Sequence, residues 1–289
     1  MAAPRGDRWG KKAGGTGRNI LRGCRYLIKV LVCGALGRMG KEVLKAAASD
    51  AELLPVAAVD VNGAGTDIGT LLGAAFSGLV VQDDLLKAIN ASAPDVMIDF
   101  TNAAAAMENV RIAIRRGVRA VIGTTGLSAS NMEEIAALCE KHKIGAIVSP
   151  NFSLGAILMM KMAEQAAKYF SHVEIIELHH DQKIDAPSGT ALKTAELIAE
   201  ARRSLPPEIT GAYEKIAGAR GGNYNNIRIH SVRLPGLVAH QEVIFGGIGQ
   251  TLVIRHDSIS RESFMPGVLL ACKRVVALNK LVVGLEKLL

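Results

Sequence analysis

From Tyr26 to Pro150 short apolar runs alternate with stretches whose apolar positions recur at helical spacing. The runs cover residues 27–33, 53–59, 96–100, 120–123 and 146–149, and the helical stretches 38–48, 103–116, 128–142 and 154–170. Strands that alternate in this way with helices predict a parallel sheet covered on both faces. After Phe170 the pattern changes. Residues 172–180, 226–234, 237–245 and 250–257 read as strands, the last two joined by Gly246-Gly247-Ile248-Gly249. One helix over 189–203 interrupts them, and a last helical segment spans 263–278. The second half therefore predicts a smaller α+β unit with a mixed or antiparallel sheet. The glycine- and asparagine-rich stretch 220–226 reads as a flexible loop over a cleft.

The turn after the first strand carries the first chemistry. Gly34-Ala35-Leu36-Gly37-Arg38-Met39-Gly40 joins that strand to a helix, and Asp60 closes the second strand 20 residues beyond Gly40. Glycines there permit a tight turn and let the backbone approach a pyrophosphate at the helix N-terminus, while an acid at that distance binds ribose hydroxyls. The spacing is G-x-x-G-x-x-G, and the flanking strand, helix and acid make it a Rossmann-like dinucleotide site. Three polar loops, Asp99-Phe100-Thr101-Asn102, Gly123-Thr124-Thr125-Gly126 and Pro150-Asn151-Phe152-Ser153, follow later strands. Ligands of such sheets bind outside the carboxyl ends of strands, so these loops are expected to wall the same cleft.

Residues 176–194 crowd ionisable groups together: His179 and His180 end a strand, Lys183 follows, and Ser188-Gly189-Thr190 opens a helix. Neighbouring side chains on a strand point to opposite faces, so only one histidine looks straight into a given cavity. The free N–H groups of Gly189 and Thr190 make a carboxylate seat. A histidine, a lysine and an anion seat in one segment suit proton transfer to an anionic substrate.

These segments together resemble the 4-hydroxy-tetrahydrodipicolinate reductase (dihydrodipicolinate reductase) family. The residues that carry the likeness are the glycine turn 34–40, Gly123–Gly126, Pro150–Ser153 and Glu177-Leu178-His179-His180-Asp181-Gln182-Lys183-Ile184-Asp185-Ala186-Pro187-Ser188-Gly189-Thr190. It runs from about Ile28 to the C-terminus. One departure is Asp181-Gln182, where many bacterial members have a basic pair. The resemblance implies an NADH- or NADPH-dependent oxidoreductase of lysine and diaminopimelate biosynthesis. It would reduce a small cyclic dicarboxylate carrying a conjugated imine. By the same resemblance His179 and Lys183 are the catalytic pair, and His180, Gly189 and Thr190 hold the substrate. Gly34, Ala35, Gly37, Arg38, Met39, Gly40, Asp60, Phe100, Gly123, Thr124, Thr125, Pro150, Asn151 and Phe152 hold the cofactor, and no metal is expected. The implied division is a dinucleotide-binding domain of residues 26–151 with 261–289, and a substrate and oligomerisation domain of 152–260 in a homotetramer. Two other readings stay open: another two-domain amino-acid or semialdehyde dehydrogenase, and a dinucleotide-sensing module without activity. Neither accounts for the histidine–lysine segment.

Charge changes the picture only at one end. Of the 34 basic and 27 acidic residues, eight basic and one acidic (Asp7) fall within residues 1–30, so that segment holds the whole formal +7. The remainder is balanced, which argues against a polyanion-binding body and hence against nucleic acid as partner. Residues 1–25 are expected to be a disordered arm. A transit peptide, which would place the protein in a plastid, is the alternative, but the segment has few serines and no amphipathic face. No apolar run approaches the roughly 20 residues of a membrane span. Cys24, Cys33, Cys139 and Cys272 form no C-x-x-C pair; free thiols in a reducing, cytoplasmic compartment are expected. Asp60 favours NADH, while Arg38 and Lys41 could meet an added phosphate, so the sequence sets no preference between NADH and NADPH.

Overall fold

The computed structural model describes residues 27–204, 211 and 213–289; the basic arm, Trp9, Cys24 and Pro206-Pro207 lie outside them. Seven parallel strands form the first sheet: β1 (Ile28–Cys33), β2 (Leu53–Val59), β3 (Val81–Gln82), β4 (Val96–Asp99), β5 (Arg119–Ile122), β6 (Ala146–Val148) and β12 (Leu281–Val283), in the order β12-β6-β5-β4-β1-β2-β3. The order reverses between β1 and β4, the place where such sheets open a crevice for ligands.

Strand period sends alternate side chains to opposite faces, and here both sets are apolar. Val30 and Val32 of β1 join one buried cluster, with Val43 and Leu44 of α1 (Arg38–Ser49) and Val268 and Cys272 of α8 (Met265–Val275). Leu31 and Cys33 join the other, beneath α3 (Leu85–Ser92), α4 (Ala103–Arg115) and α5 (Ala129–His142). Cys33, Cys139 and Cys272 are buried free thiols, as expected. Although α8 follows the second sheet in sequence, it packs on the first. Lys273 pins it there, with Nζ 2.9 Å from Asp50 and 3.0 Å from Glu52.

The second sheet is mixed, with the order β11-β10-β7-β9-β8. Its strands are β7 (His172–His179), β8 (Gly222–Tyr224), β9 (Ile227–Arg233), β10 (Ala239–Gly247) and β11 (Gln250–Ser258); only β7 and β9 run parallel. Helices α6 (Leu154–Ala167) and α7 (Gly189–Ala201) cover one face. Expected strands and helices recur within one to three residues, with one correction of kind. The stretch 220–226, read as a loop over the cleft, contains the first arm (residues 222–224) and the turn of an edge hairpin. Asn225 and Asn226 both adopt left-handed backbone (φ 49° and 59°), the geometry of a two-residue hairpin turn. The short α2 (Gly69–Leu72), β3, α3, β8 and β12 carried too little pattern to be read in advance.

Candidate active site

A cleft of about 770 Å³ opens where the strand order reverses, lined by Cys33, Gly34, Gly37, Asp60, Phe100 and Thr101 among others. Its floor is backbone. Gly34 has φ +74°, and a Cβ there would lie 2.4 Å from the Phe100 carbonyl oxygen. A Cβ on Gly40 would lie 2.0 Å from the Gly34 carbonyl oxygen. Helix α1 starts on Gly37 with no side-chain cap. By contrast α3, α4, α5, α6 and α7 each begin on an Asp, Asn or Ser that accepts a backbone N–H. An uncapped N-terminus beside a cradle that side chains would fill fits a pyrophosphate. Asp60 accepts the N–H of Leu36 (2.9 Å) and of Asn62 (3.1 Å), which ties the glycine turn to the end of β2. Ala35 is buried and Met39 half-buried, whereas Arg38 is exposed and shares a separate hollow with Lys41 and Arg261.

The other loops are joined by a buried carboxylate. Asp99 accepts from Thr101 N–H (3.1 Å), the Thr101 and Thr124 hydroxyls (2.8 and 2.7 Å) and the Asn109 amide (2.8 Å). The Phe100 ring occupies the space a side chain on Gly123 would need, and sits 5.9 Å from the Phe152 ring centroid. The loops after β4, β5 and β6 are thus packed as one wall, with Thr125 and Pro150 exposed on it.

Pro150 and Asn151 also line a second cavity of about 190 Å³, together with Ser153, His179, Ser188, Thr190, Gln241 and His256. His179 ends β7, and its Nδ1 lies 2.5 Å from Oε2 of Glu177, a side chain with 0% exposure. Two N–H groups of Arg233 reach the same carboxylate at 2.8 and 2.9 Å, and Ser188 N–H at 3.2 Å. Burial alone would raise the Glu177 pKa. Hydrogen bonds from His179, Arg233 and Ser231 outweigh it and hold the carboxyl down to about 2. Ser188 caps α7 through Ala191 N–H (3.2 Å), leaving the N–H groups of Gly189 and Thr190 at the helix mouth. A Cβ on Gly189 would meet nothing within 4 Å, so that mouth is open.

His256, on β11, pairs with the Ser153 hydroxyl at 3.2 Å; burial lowers its pKa, with Asp257 opposing and His240 assisting the shift. Its ring occupies the space a Cβ on Gly155 would need. Three expected residues are outside the cavity lining; one is Gly189, whose neighbours Ser188 and Thr190 do line it. His180 is exposed beyond the strand end, and Lys183 is held by Asp185, with Nζ 2.6 and 2.8 Å from its two oxygens. Glu177, Arg233, Gln241 and His256 were given no role from sequence, and Asp99 was placed only as part of a loop walling the cleft. Glu177 was within reach, because a residue two before His179 shares its face of the strand. Arg233 and His256 come from distant strands that only the folded sheet brings alongside.

A glycine-turn cleft at a strand-order reversal, opening beside a polar cavity of a second mixed sheet, is the arrangement of a Rossmann-like nicotinamide-dinucleotide oxidoreductase. An amine dehydrogenase from Mycobacterium smegmatis shares that fold, with a TM-score of 0.61 at 16% identity over 90% of this chain and 95% of its own. The particular family follows from closer likenesses. Residues 28–152 match the family model "Dihydrodipicolinate reductase, N-terminus" and residues 155–289 its C-terminus. The chain belongs to the dihydrodipicolinate reductase family. It is 57% identical over 262 residues to a 4-hydroxy-tetrahydrodipicolinate reductase of Moorella thermoacetica, covering 91% of this chain and 98% of that one. A dipicolinate-bound dihydrodipicolinate reductase from Paenisporosarcina sp. TG-14 superposes with a TM-score of 0.81 at 44% identity, over 91% of this chain and all of its own.

Proposed function

We propose that this chain reduces 4-hydroxy-tetrahydrodipicolinate, through dihydrodipicolinate, to tetrahydrodipicolinate, using NADH or NADPH, in lysine and diaminopimelate biosynthesis. The observation that carries the reading is the cavity itself: His179 faces the open anion seat of α7 beside the loop that walls the dinucleotide cleft. When bound, the reduced nicotinamide supplies a hydride to the ring carbon conjugated with the imine. The chain's residues do the rest. Gly34, Gly37, Gly40 and the uncapped start of α1 hold the pyrophosphate, Asp60 faces the ribose, and the wall of Phe100, Gly123, Thr124, Thr125, Pro150, Asn151 and Phe152 flanks the reacting ring. Ala35 and Met39 pack behind the turn, and Arg38 stands ready for a phosphate. Gly189 and Thr190 seat one substrate carboxylate through backbone N–H groups, and His180, exposed past the end of β7, would have to turn inward to join them.

His179 delivers the proton that completes the saturated bond. As the imidazolium, with Nδ1–H committed to Glu177, it gives up the proton on Nε2 and is left as the neutral ring protonated at Nδ1. Lys183 exchanges Asp185 for a substrate carboxylate. As an ammonium next to a dianion it clamps charge as well as supporting protonation. We assign residues 26–151 with 261–289 to cofactor and 152–260 to substrate and assembly. The face of the second sheet away from α6 and α7 presents Ile176, Leu178, Val232, Ile244 and Val253; a second copy covers it in the homotetramer we expect. We place the enzyme in the cytoplasm.

The deciding assay mixes the protein with NADH or NADPH and freshly generated product of the preceding synthase, and follows nicotinamide oxidation optically. Turnover is expected with both cofactors. Cofactor binding without turnover would instead identify a sensor, and turnover of another amino-acid or semialdehyde substrate would move the chain to a neighbouring class.

A further inference from the structure

We propose that Glu177, clamped by Arg233, is a positioning residue that fixes the tautomer of His179 and aims its Nε2 into the substrate cavity. The proposal rests on His179 being the proton donor, as argued above. Strand alternation puts Glu177 and His179 on one face of β7, and the 2.5 Å contact runs from Nδ1 to Oε2. Arg233 lies opposite His179 in the parallel β7–β9 register. Its fork meets both Glu177 oxygens at 2.8 and 2.9 Å, so the buried carboxylate is ionised. An ionised carboxylate only accepts hydrogen bonds. Nδ1 of His179 must therefore carry a hydrogen in both ring states, and Nε2 is the nitrogen that takes up the second proton and delivers it into the cavity.

The same pair reaches further. Arg233 also donates to the Asp185 carbonyl at 2.7 Å, and Ser188 N–H donates to Glu177 at 3.2 Å. The loop that carries Lys183 and the start of the anion seat are thus tied to the group that orients His179. Stability alone is a poor account of such an arrangement, because replacing a buried ion pair by apolar groups is often neutral or stabilising.

The test is a double-mutant cycle read together with histidine NMR. Glu177→Gln should lower kcat about 100-fold and leave the NADH dissociation constant unchanged. In the His179→Gln background the same substitution should change kcat less than about two-fold, since a residue acting through His179 has nothing left to act on. Equal losses in both backgrounds would reveal a merely structural role and overturn the proposal. If Glu177→Gln leaves Arg233 unpaired and the chain unfolded, Glu177→Gln/Arg233→Met removes both charges and is read in the same way. Nitrogen-15 NMR of histidine in the unsubstituted protein, at a pH where the His179 ring is neutral, should show a protonated Nδ1 and a bare Nε2. The opposite tautomer sinks the idea. The NMR needs no substrate, so absence of turnover would refute the functional reading while the tautomer still decides the positioning role.

Discussion

The dinucleotide cleft and the His179 cavity share a wall but are built from different materials. The cleft is made of backbone: a turn that only glycine can follow at Gly34, a helix start without a cap, and a contact at Gly40 too close for any side chain. The cavity is made mainly of side chains drawn from distant segments: His179 on β7, backed through Glu177 by Arg233 of β9, Gln241 on β10, His256 on β11 and Ser153 before α6. Backbone sites recognise what all dinucleotides share, whereas side-chain sites select one substrate and hold a proton. Substitutions should separate the two, with chemistry failing at one end and binding at the other.

The largest separation is expected at His179. His179→Gln should lower kcat by about 100- to 10,000-fold, the span typical of general acid–base groups, with the NADH dissociation constant unchanged in a fluorescence titration. Lys183→Ala should lower kcat in the same sense and also raise KM for the dicarboxylate. Near-normal turnover in both variants would remove the assigned roles. The converse variant is Gly40→Ala, whose Cβ would sit 2.0 Å from a carbonyl oxygen. Overpacking of this kind costs roughly 1–3 kcal/mol, so its melting temperature should fall and both cofactors should bind more weakly. Wild-type binding and stability would show that the turn can relax, and that the tight fit is not needed.

The difference in materials also decides what could be read from sequence. Glycine spacing and the acid at Asp60 are local, and β1, α1 and β2 stand where the pattern put them. His179 was legible because its partners in the signature lie within eleven residues of it. Arg233 was not, since its bond to Glu177 spans 56 residues and depends on a parallel register that no local pattern encodes. The edge hairpin at Asn225-Asn226 was misread because glycine and asparagine serve flexible loops and tight turns alike. The start of α7 at Gly189 was legible as well, because a serine before a helix is a cap whichever sheet it follows.

A third expectation concerns acid. The Glu177 carboxyl is held down to about 2 in the folded chain by bonds that outweigh the cost of its burial. Its stabilising contribution is therefore complete above the ordinary carboxylate range and is lost as pH falls from about 4.3 through the folded value. Chemical denaturation at stepped pH should show wild-type stability falling across that window, and falling less steeply in Glu177→Gln, which is less stable at neutral pH. Parallel slopes would mean that Glu177 is not the group protonated.

The smallest effect, and the one that sharpens the backbone end, lies at Asp60. Its two oxygens already accept the N–H groups of Leu36 and Asn62, so the carboxylate both shapes the glycine turn and sets the charge at the end of β2. Asp60→Ser removes the charge and puts one of those bonds at risk, at a cost of about 1 kcal/mol in stability. A carboxylate accepts hydrogen bonds from ribose hydroxyls and repels a phosphate there. Without it NADH use should weaken, and NADPH use should hold or improve, because Arg38 is exposed nearby on the turn and free to meet the added phosphate. The measurement is the ratio of kcat/KM for the two cofactors in wild type and variant, beside the melting temperature of each. A lowered melting temperature with an unchanged ratio would assign Asp60 wholly to the turn. The adenosine end of the cofactor would then have to be placed without it.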